Sequence, residues 1–487
     1  MPDTSRKWAA LVFLCAAQFM VVLDVSIVNV ALPSIQRGLH FSEQNLLWVL
    51  NAYTLLFGGF LMLGGRVADK LGRRRVFMAG VALFSAASLL CGLATSSGWL
   101  VVARAFQGLG AAIASPAALS ILTVTFTEGR ERNTALSIWG AIAGAGGAFG
   151  VLLGGILTQE IGWSWIFYVN VPIGALVILA TPFVLAPSTP EEEQRGFDIP
   201  GAVTVTASLV LLVFGLVKST NWGWASPRTI GVLVASAVLM AVFVMIERRT
   251  QAPLVPLSIF RNRSLTVSNV VAVILGASIF SMFYFLSLYM QQVLGYSALR
   301  TGIGYLSIAG AIIVAAGIAQ TLVARFGVRL VLATGMLLAA GGILYFSQIS
   351  VNGTYLGTLL PGFMLAGVGL GLSFVPVTIG AVSGVPPQEA GVASGLINTT
   401  QQVGGALGVA VLSTIAISVT THFAVSHGHG RAAALTGLTH GFSAAFYVGA
   451  VVAGIGAVVA LLGLVQSRSS EPSSDALPVL ELAHDEA

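Results

Sequence analysis

The chain has 487 residues, 56% of them hydrophobic and 8% charged, with a mean hydropathy of +0.91. Soluble domains carry about 25% charged residues, so this composition excludes a large globular enzyme and points to an integral membrane protein. The net charge of +5 does not argue for a nucleic-acid partner, because the basic residues fall in short loops between apolar runs.

Runs of membrane length lie near 8–33, 44–64, 76–95, 99–122, 135–158 and 164–186, then 199–217 and 229–247. Six more follow near 265–293, 302–324, 328–349, 355–380, 391–419 and 440–465. The residues Met1 to Lys7 precede a run too long for a signal peptide and without a small-residue cleavage site, so an uncleaved first span is expected. The pattern six, two, six predicts an all-α protein with fourteen transmembrane helices: two six-helix bundles joined by an extra helical pair. Expected boundaries are 1–186 for the first bundle, 187–256 for a polar linker with the extra pair, 257–465 for the second bundle, and 466–487 for a polar tail. With the N-terminus inside, inner segments hold 17 of the 23 Lys and Arg, while outer loops hold Arg37, Lys218, Arg228, Arg300 and Arg431. This asymmetry predicts cytoplasmic termini in a cell (inner) membrane. Cys15 and Cys91 both fall in apolar runs, so no disulfide framework is expected.

The first run contains Asp24, which stands alone: no other acid lies inside a membrane-length run, Glu247 falling only at the end of one. A carboxylate at that depth costs on the order of 2.5–3.5 kcal/mol, so it faces a wet cavity or a partner. Either a structural hydrogen-bonded residue or a proton or cation site satisfies that demand. In the fourth run, Arg104 lies roughly 7 Å from the outer end, and Asp24 roughly 24 Å from the inner end of a core about 30 Å thick. The two charges are therefore expected at similar height.

The loop after the second run reads Gly64-Gly65-Arg66-Val67-Ala68-Asp69-Lys70-Leu71-Gly72-Arg73-Arg74-Arg75. Its glycines permit a tight turn, and Asp69 can pair with Arg73 or cap a helix. The corresponding loop of the second half holds Arg325, Gly327 and Arg329, echoing Lys70, Gly72 and Arg74, with Ala324 in place of Asp69. In the fifth run Gly146, Gly150 and Gly154 lie four apart and make one smooth stripe for helix packing.

The Gly65–Arg75 pattern resembles the signature of the major facilitator superfamily between its second and third spans. Leu23 to Pro33 is similar to the first-span motif of that superfamily's fourteen-spanner drug/proton antiporters, and Arg104 to Ala112 to its fourth-span motif. The resemblance covers nearly the whole chain. It implies proton coupling at Asp24 and Arg104 and an inner gate built from Gly65, Asp69, Gly72, Arg73 and Arg74, with Gly146, Gly150 and Gly154 carrying bundle sliding. The family's fifth-span motif has a Gly-Pro, whereas this chain reads Gly150-Val151.

Uncharged polar and aromatic residues suit a cavity for amphipathic ligands: Gln18, Asn29, Gln107, Tyr284, Tyr289, Gln292, Asn398 and Gln401. His422, His427, His429 and His440 cluster before the last run without a completing acid or thiol, so no metal site is expected. No phosphate loop is present, so ATP is not an expected partner, and no catalytic constellation or cofactor motif appears. The expected function is a non-enzymatic, proton-coupled exporter of drugs or antibiotic-like compounds, its partners being a small-molecule substrate, protons and the bilayer. A proton symporter importing a nutrient or peptide, or a non-transporting receptor, is the alternative.

Overall fold

A computed structural model describes residues 4–126, 130–185, 198–251, 253–386, 389–427 and 430–464. Among these every regular element is helical. The long helices are α1 (Thr4–Gly38), α2 (Trp48–Leu71), α3 (Arg73–Gly92), α4 (Ser97–Thr125), α5 (Arg130–Glu160) and α6 (Asn170–Val184). The extra pair is α7 (Ile199–Trp222) and α8 (Pro227–Arg249); then come α9 (Arg263–Leu288), α10 (Ala298–Phe346), α11 (Leu360–Val382), α12 (Ala390–His427) and α13 (Arg431–Gly463). Twelve helices among the described residues are long and apolar enough to cross a membrane. The linker stretch 186–197 and the tail 465–487 lie outside the described residues, as does His429.

Short polar residues set the helix starts. Ser96, Ser226, Asn262 and Ser297 each accept a hydrogen bond from the backbone N–H three residues on, meeting donors that the first turn leaves unpaired. Glycine sets the sharpest breaks. Gly72 ends α2 at φ 96°, ψ 117°, and Gly327 interrupts the 49-residue α10 at φ 82°, ψ 159°. Side chains rarely adopt that backbone, so the two glycines allow sharp breaks in the helical path at equivalent places in the two halves.

Helices α1 to α6 pack on one another, as do α9 to α13. Across the halves α1 meets α9, α2 meets α12, and α5 meets α10. The extra pair is peripheral: α7 lies against α2 and α12, while α8 packs on α7 alone among the main contacts. At one end, hydrogen bonds cross between the halves. Ser287 Oγ donates to Asn29 O (2.6 Å), and Gln291 Nε2 to Val30 O (2.8 Å). Gln292 Nε2 donates to Gln36 Oε1 (2.8 Å), and Leu299 N to Gln159 Oε1 (3.3 Å). A π turn at Tyr289–Val293, continuing α9, carries two of these glutamines. A cavity of about 580 Å³ opens beside them, lined by Arg37, Thr158, Gln159, Gln292 and Tyr296 among others.

Candidate functional site

Asp24 on α1 and Arg104 on α4 meet inside the first half, and both are 0% exposed. Arg104 Nη1 donates to Asp24 Oδ2 at 2.5 Å, its Nε donates to Val49 O at 2.9 Å, and Nη1 also reaches Gln107 Oε1 at 2.7 Å. The guanidinium lies 4.4 Å from the centre of the Tyr53 ring, a cation–π position. The second carboxylate oxygen has its own donors: Gln107 Nε2 at 2.7 Å and Asn170 Nδ2 at 3.2 Å. Ser88 Oγ accepts from the same two amides and donates to Phe167 O at 2.8 Å. Five helices, α1, α2, α3, α4 and α6, thus contribute side chains to one polar knot in an apolar core.

The knot solves a solvation problem. An ion pair taken out of water loses more than its mutual attraction returns unless its remaining lone pairs and protons are also satisfied. Gln107, Asn170 and Val49 supply that satisfaction, so each charge is held by several groups. Asn170 Oδ1 is buried with no partner among the described residues, which leaves the knot one acceptor in reserve.

Of the residues expected at an inner gate, Asp69 and Arg73 pair with each other. Arg73 Nε donates to Asp69 Oδ1 at 2.9 Å, and Ser120 Oγ reaches the same oxygen at 3.3 Å, tying the loop to α4. Arg74 Nη1 donates to Leu185 O at 3.0 Å, at the end of α6. A Cβ on Gly65 would meet only Pro116, at 3.7 Å, so its neighbour Gly64, crossed closely by the Ala112 carbonyl, is the tight glycine.

The glycine stripe packs within its own half. A Cβ on Gly150 would come within 2.7 Å of Ser26, and one on Gly154 within 2.8 Å of Ile27 O, while Gly146 faces Val22. These are all α1, inside the same half. The contact between halves falls on Gly155, where a Cβ would lie 2.8 Å from Ala298 O, and on Val151 against Gly302. One residue turns a helix by about 100°, so it is the neighbouring face of α5 that meets the second half.

The residues predicted to bind substrate do not gather in one cavity. Gln107 belongs to the buried knot. Gln18 Oε1 accepts from Ser115 Oγ (3.1 Å), Asn29 Nδ2 donates to its own helix at Val25 O (2.9 Å), and Tyr289 OH donates to Ser350 O (2.6 Å). Each is therefore at least partly committed to helix contacts. Tyr284 and Gln292 line a small hollow with Gln36 and Glu43. Asn398 is exposed and bonds its own helix at Ser394 O, and Gln401 packs its backbone against Gly276. Among the histidines, His440 stacks on Phe423 with 5.0 Å between ring centres, and no group of three or more metal-ligating side chains occurs among the described residues.

Asn170, Ser88 and Tyr53 complete the knot, yet none was singled out for it by sequence. The available signal was an Asn at the start of an apolar helix, next to Trp165, Phe167 and Tyr168, aromatic residues of the kind that gather at a membrane's headgroups.

The family model for the Major Facilitator Superfamily matches residues 14–409. The chain is 39% identical to the puromycin resistance protein pur8 of Streptomyces alboniger, over 96% of this chain and 93% of that one. It is 41% identical to the cephamycin export protein CmcT of Amycolatopsis lactamdurans, over 86% and 87%. Among solved structures, an inward-facing bacterial homologue of the human lysosomal transporter Spinster matches with TM-score 0.68 at 16% identity, covering 95% of this chain and 97% of that one; this likeness speaks for the fold. With that fold and relatives matched along most of their length, the chain is a multi-pass membrane protein that belongs to the major facilitator superfamily of transporters.

Proposed function

We propose that the protein is a proton-coupled secondary transporter that exports drug-like or antibiotic-like amphipathic compounds by alternating access. The observation that carries the coupling is the Asp24–Arg104 knot: one ionisable acid, fully buried, whose negative charge is held by three donors from two other helices. Adding a proton to Asp24 cancels the charge that Arg104, Gln107 and Asn170 converge upon. That weakens the link of α1 to α4 and α6, so protonation and helix position are one equilibrium. The names of relatives that confer antibiotic resistance or export support the substrate class.

The membrane arrangement follows the same reading. Counting the two arms of α10 on either side of Gly327 as separate crossings, and adding α5, brings twelve spans to fourteen. Both termini then lie on one side, the cytoplasmic one by the distribution of Lys and Arg. The bundles are 1–186 and 257–465, with the extra pair between them. In this frame the glutamine bridges close the outer side, and the Asp69–Arg73 latch with Gly65, Gly72 and Arg74 belongs to the inner gate. Gln18, Asn29, Tyr284, Tyr289, Gln292, Asn398 and Gln401 would meet substrate only as the halves separate.

The test is transport by the full chain in proteoliposomes with an imposed pH gradient. Substrate movement against its own gradient, with protons moving the opposite way, is expected. Substrate and protons moving in the same direction would favour the symport reading that the absent proline after Gly150 leaves standing.

A further inference from the structure

The extra helical pair carries a second buried acidic pair that the coupling reading does not use. Asp198 caps the start of α7, and Glu247 lies in the last turn of α8, so the antiparallel pairing of the two helices brings them together. They are 2% and 3% exposed. Asp198 Oδ1 accepts from Gly201 N at 2.8 Å, and Glu247 Oε2 accepts from Val255 N at 3.1 Å. The remaining oxygens, Asp198 Oδ2 and Glu247 Oε1, are buried with no donor of their own among the described residues. Both acids border one apolar cluster: Asp198 caps the turn that carries Ala202, Glu247 holds Val255, and Ala202 and Val255 belong to the same buried cluster.

Two carboxylates cannot hydrogen-bond, because neither carries a hydrogen. Like charges in contact and out of water cannot both stay ionised either. From α2 the facing charge is Arg66, which interacts with both acids and donates to Pro253 O. The strap 253–259 and the start of α12 present Leu254, Val255, Ile259, Ala393 and Leu396 to the same region, all apolar. Arg248 and Arg249, next to Glu247 in sequence, are exposed. Among the described residues one cation thus faces two acids, leaving one negative charge to be cancelled. No third acid, His or Cys is present to make a metal site among the described residues.

We propose that Asp198 and Glu247 form a second proton-binding site, sharing one proton as an acid–carboxylate pair that ties the extra helices to Arg66 of the signature loop. The proton bridges the two orphaned oxygens, and Arg66 balances the remaining charge. Losing it leaves two negative charges side by side and loosens α7 from α2 and α8 from the strap. A carboxyl protonated when folded but ionised when unfolded makes the folded state bind more protons. The stability it contributes is therefore full at low pH and lost as pH rises through the folded transition.

Infrared difference spectroscopy on the full chain in detergent, comparing neutral with alkaline pH, tests this. Wild type is expected to show a protonated-carboxyl C=O band that disappears on alkalinisation. Glu247→Gln and Asp198→Asn should each lack it, whereas Asp24→Asn should retain it, which keeps this result separate from the coupling reading. Glu247→Gln preserves the hydrogen bond without titrating, so its melting temperature should lose the alkaline decline seen in wild type. The same band in both pair variants would overturn the proposal. So would a wild-type spectrum without any alkaline-labile carboxyl band beyond one that Asp24→Asn removes, a result that does not depend on the pair variants folding. Stability that follows sodium concentration at fixed pH would assign the pair to a metal ion instead and overturn it equally.

Discussion

At the scale of single residues, the chemistry rests on how many donors each charge keeps. Arg104 uses Nε and Nη1 toward three acceptors at once, an arrangement that a lysine ammonium on a flexible stem cannot reproduce. Arg104→Lys should therefore fold but lose at least about tenfold in gradient-driven transport, since a misplaced partner at a coupling site costs on that order; wild-type rates in proteoliposomes would contradict it. Asn170→Leu removes one donor from Asp24 Oδ1 and leaves Gln107 to serve that oxygen. Its expected cost is about 1–3 kcal/mol of stability, checked by thermal unfolding in detergent. The sequence made Asp24 and Arg104 legible because ionisable groups in apolar runs are rare. Asn170 and Ser88 were not, because small polar residues serve so often as ordinary helix contacts. Asp198 and Glu247 escaped for another reason. They sit at the ends of their runs, where an acid reads as solvated until α7 and α8 are seen to pack.

Among elements, glycine separates the tight contacts from the roomy ones. Gly150→Val would drive a side chain into Ser26 and the Leu23 carbonyl of α1, while Gly65→Ala meets nothing closer than 3.7 Å. Expression and melting temperature should fall clearly for the first and stay near wild type for the second. Gly72→Ala and Gly327→Ala should each cost about 1–3 kcal/mol, because both positions hold a backbone that favours glycine. Equal stability of either variant with wild type would remove the shared turn from the account. The four-residue spacing of Gly146, Gly150 and Gly154 correctly signalled a packing face. Spacing alone does not say which neighbour fills it; here it is α1, with the second half meeting the adjacent face at Gly155. The weak echo between the two signature loops was legible, and Gly72 and Gly327 give it a backbone basis.

For the whole molecule, the all-helical architecture followed from run length and charge placement alone. Which end holds the halves together did not, since that depends on side chains such as Gln36, Gln291 and Gln292 meeting across 250 or more residues of sequence. A Gln36→Cys/Gln292→Cys pair should cross-link under oxidation, arrest transport and recover with reductant. Unimpaired transport by the cross-linked protein would mean that this end does not open. The predicted ligand residues scatter among separate helix contacts, which residue type alone does not reveal.

The central claim, that the buried acid on α1 couples substrate to protons, is tested most directly by proton counter-flux. Proteoliposomes holding wild type or Asp24→Asn, loaded with a pH-sensitive dye, report proton movement when substrate is added. Substrate-dependent proton flux in wild type and its loss in Asp24→Asn, with substrate still binding, is the predicted outcome. Equal flux in the two proteins would contradict it.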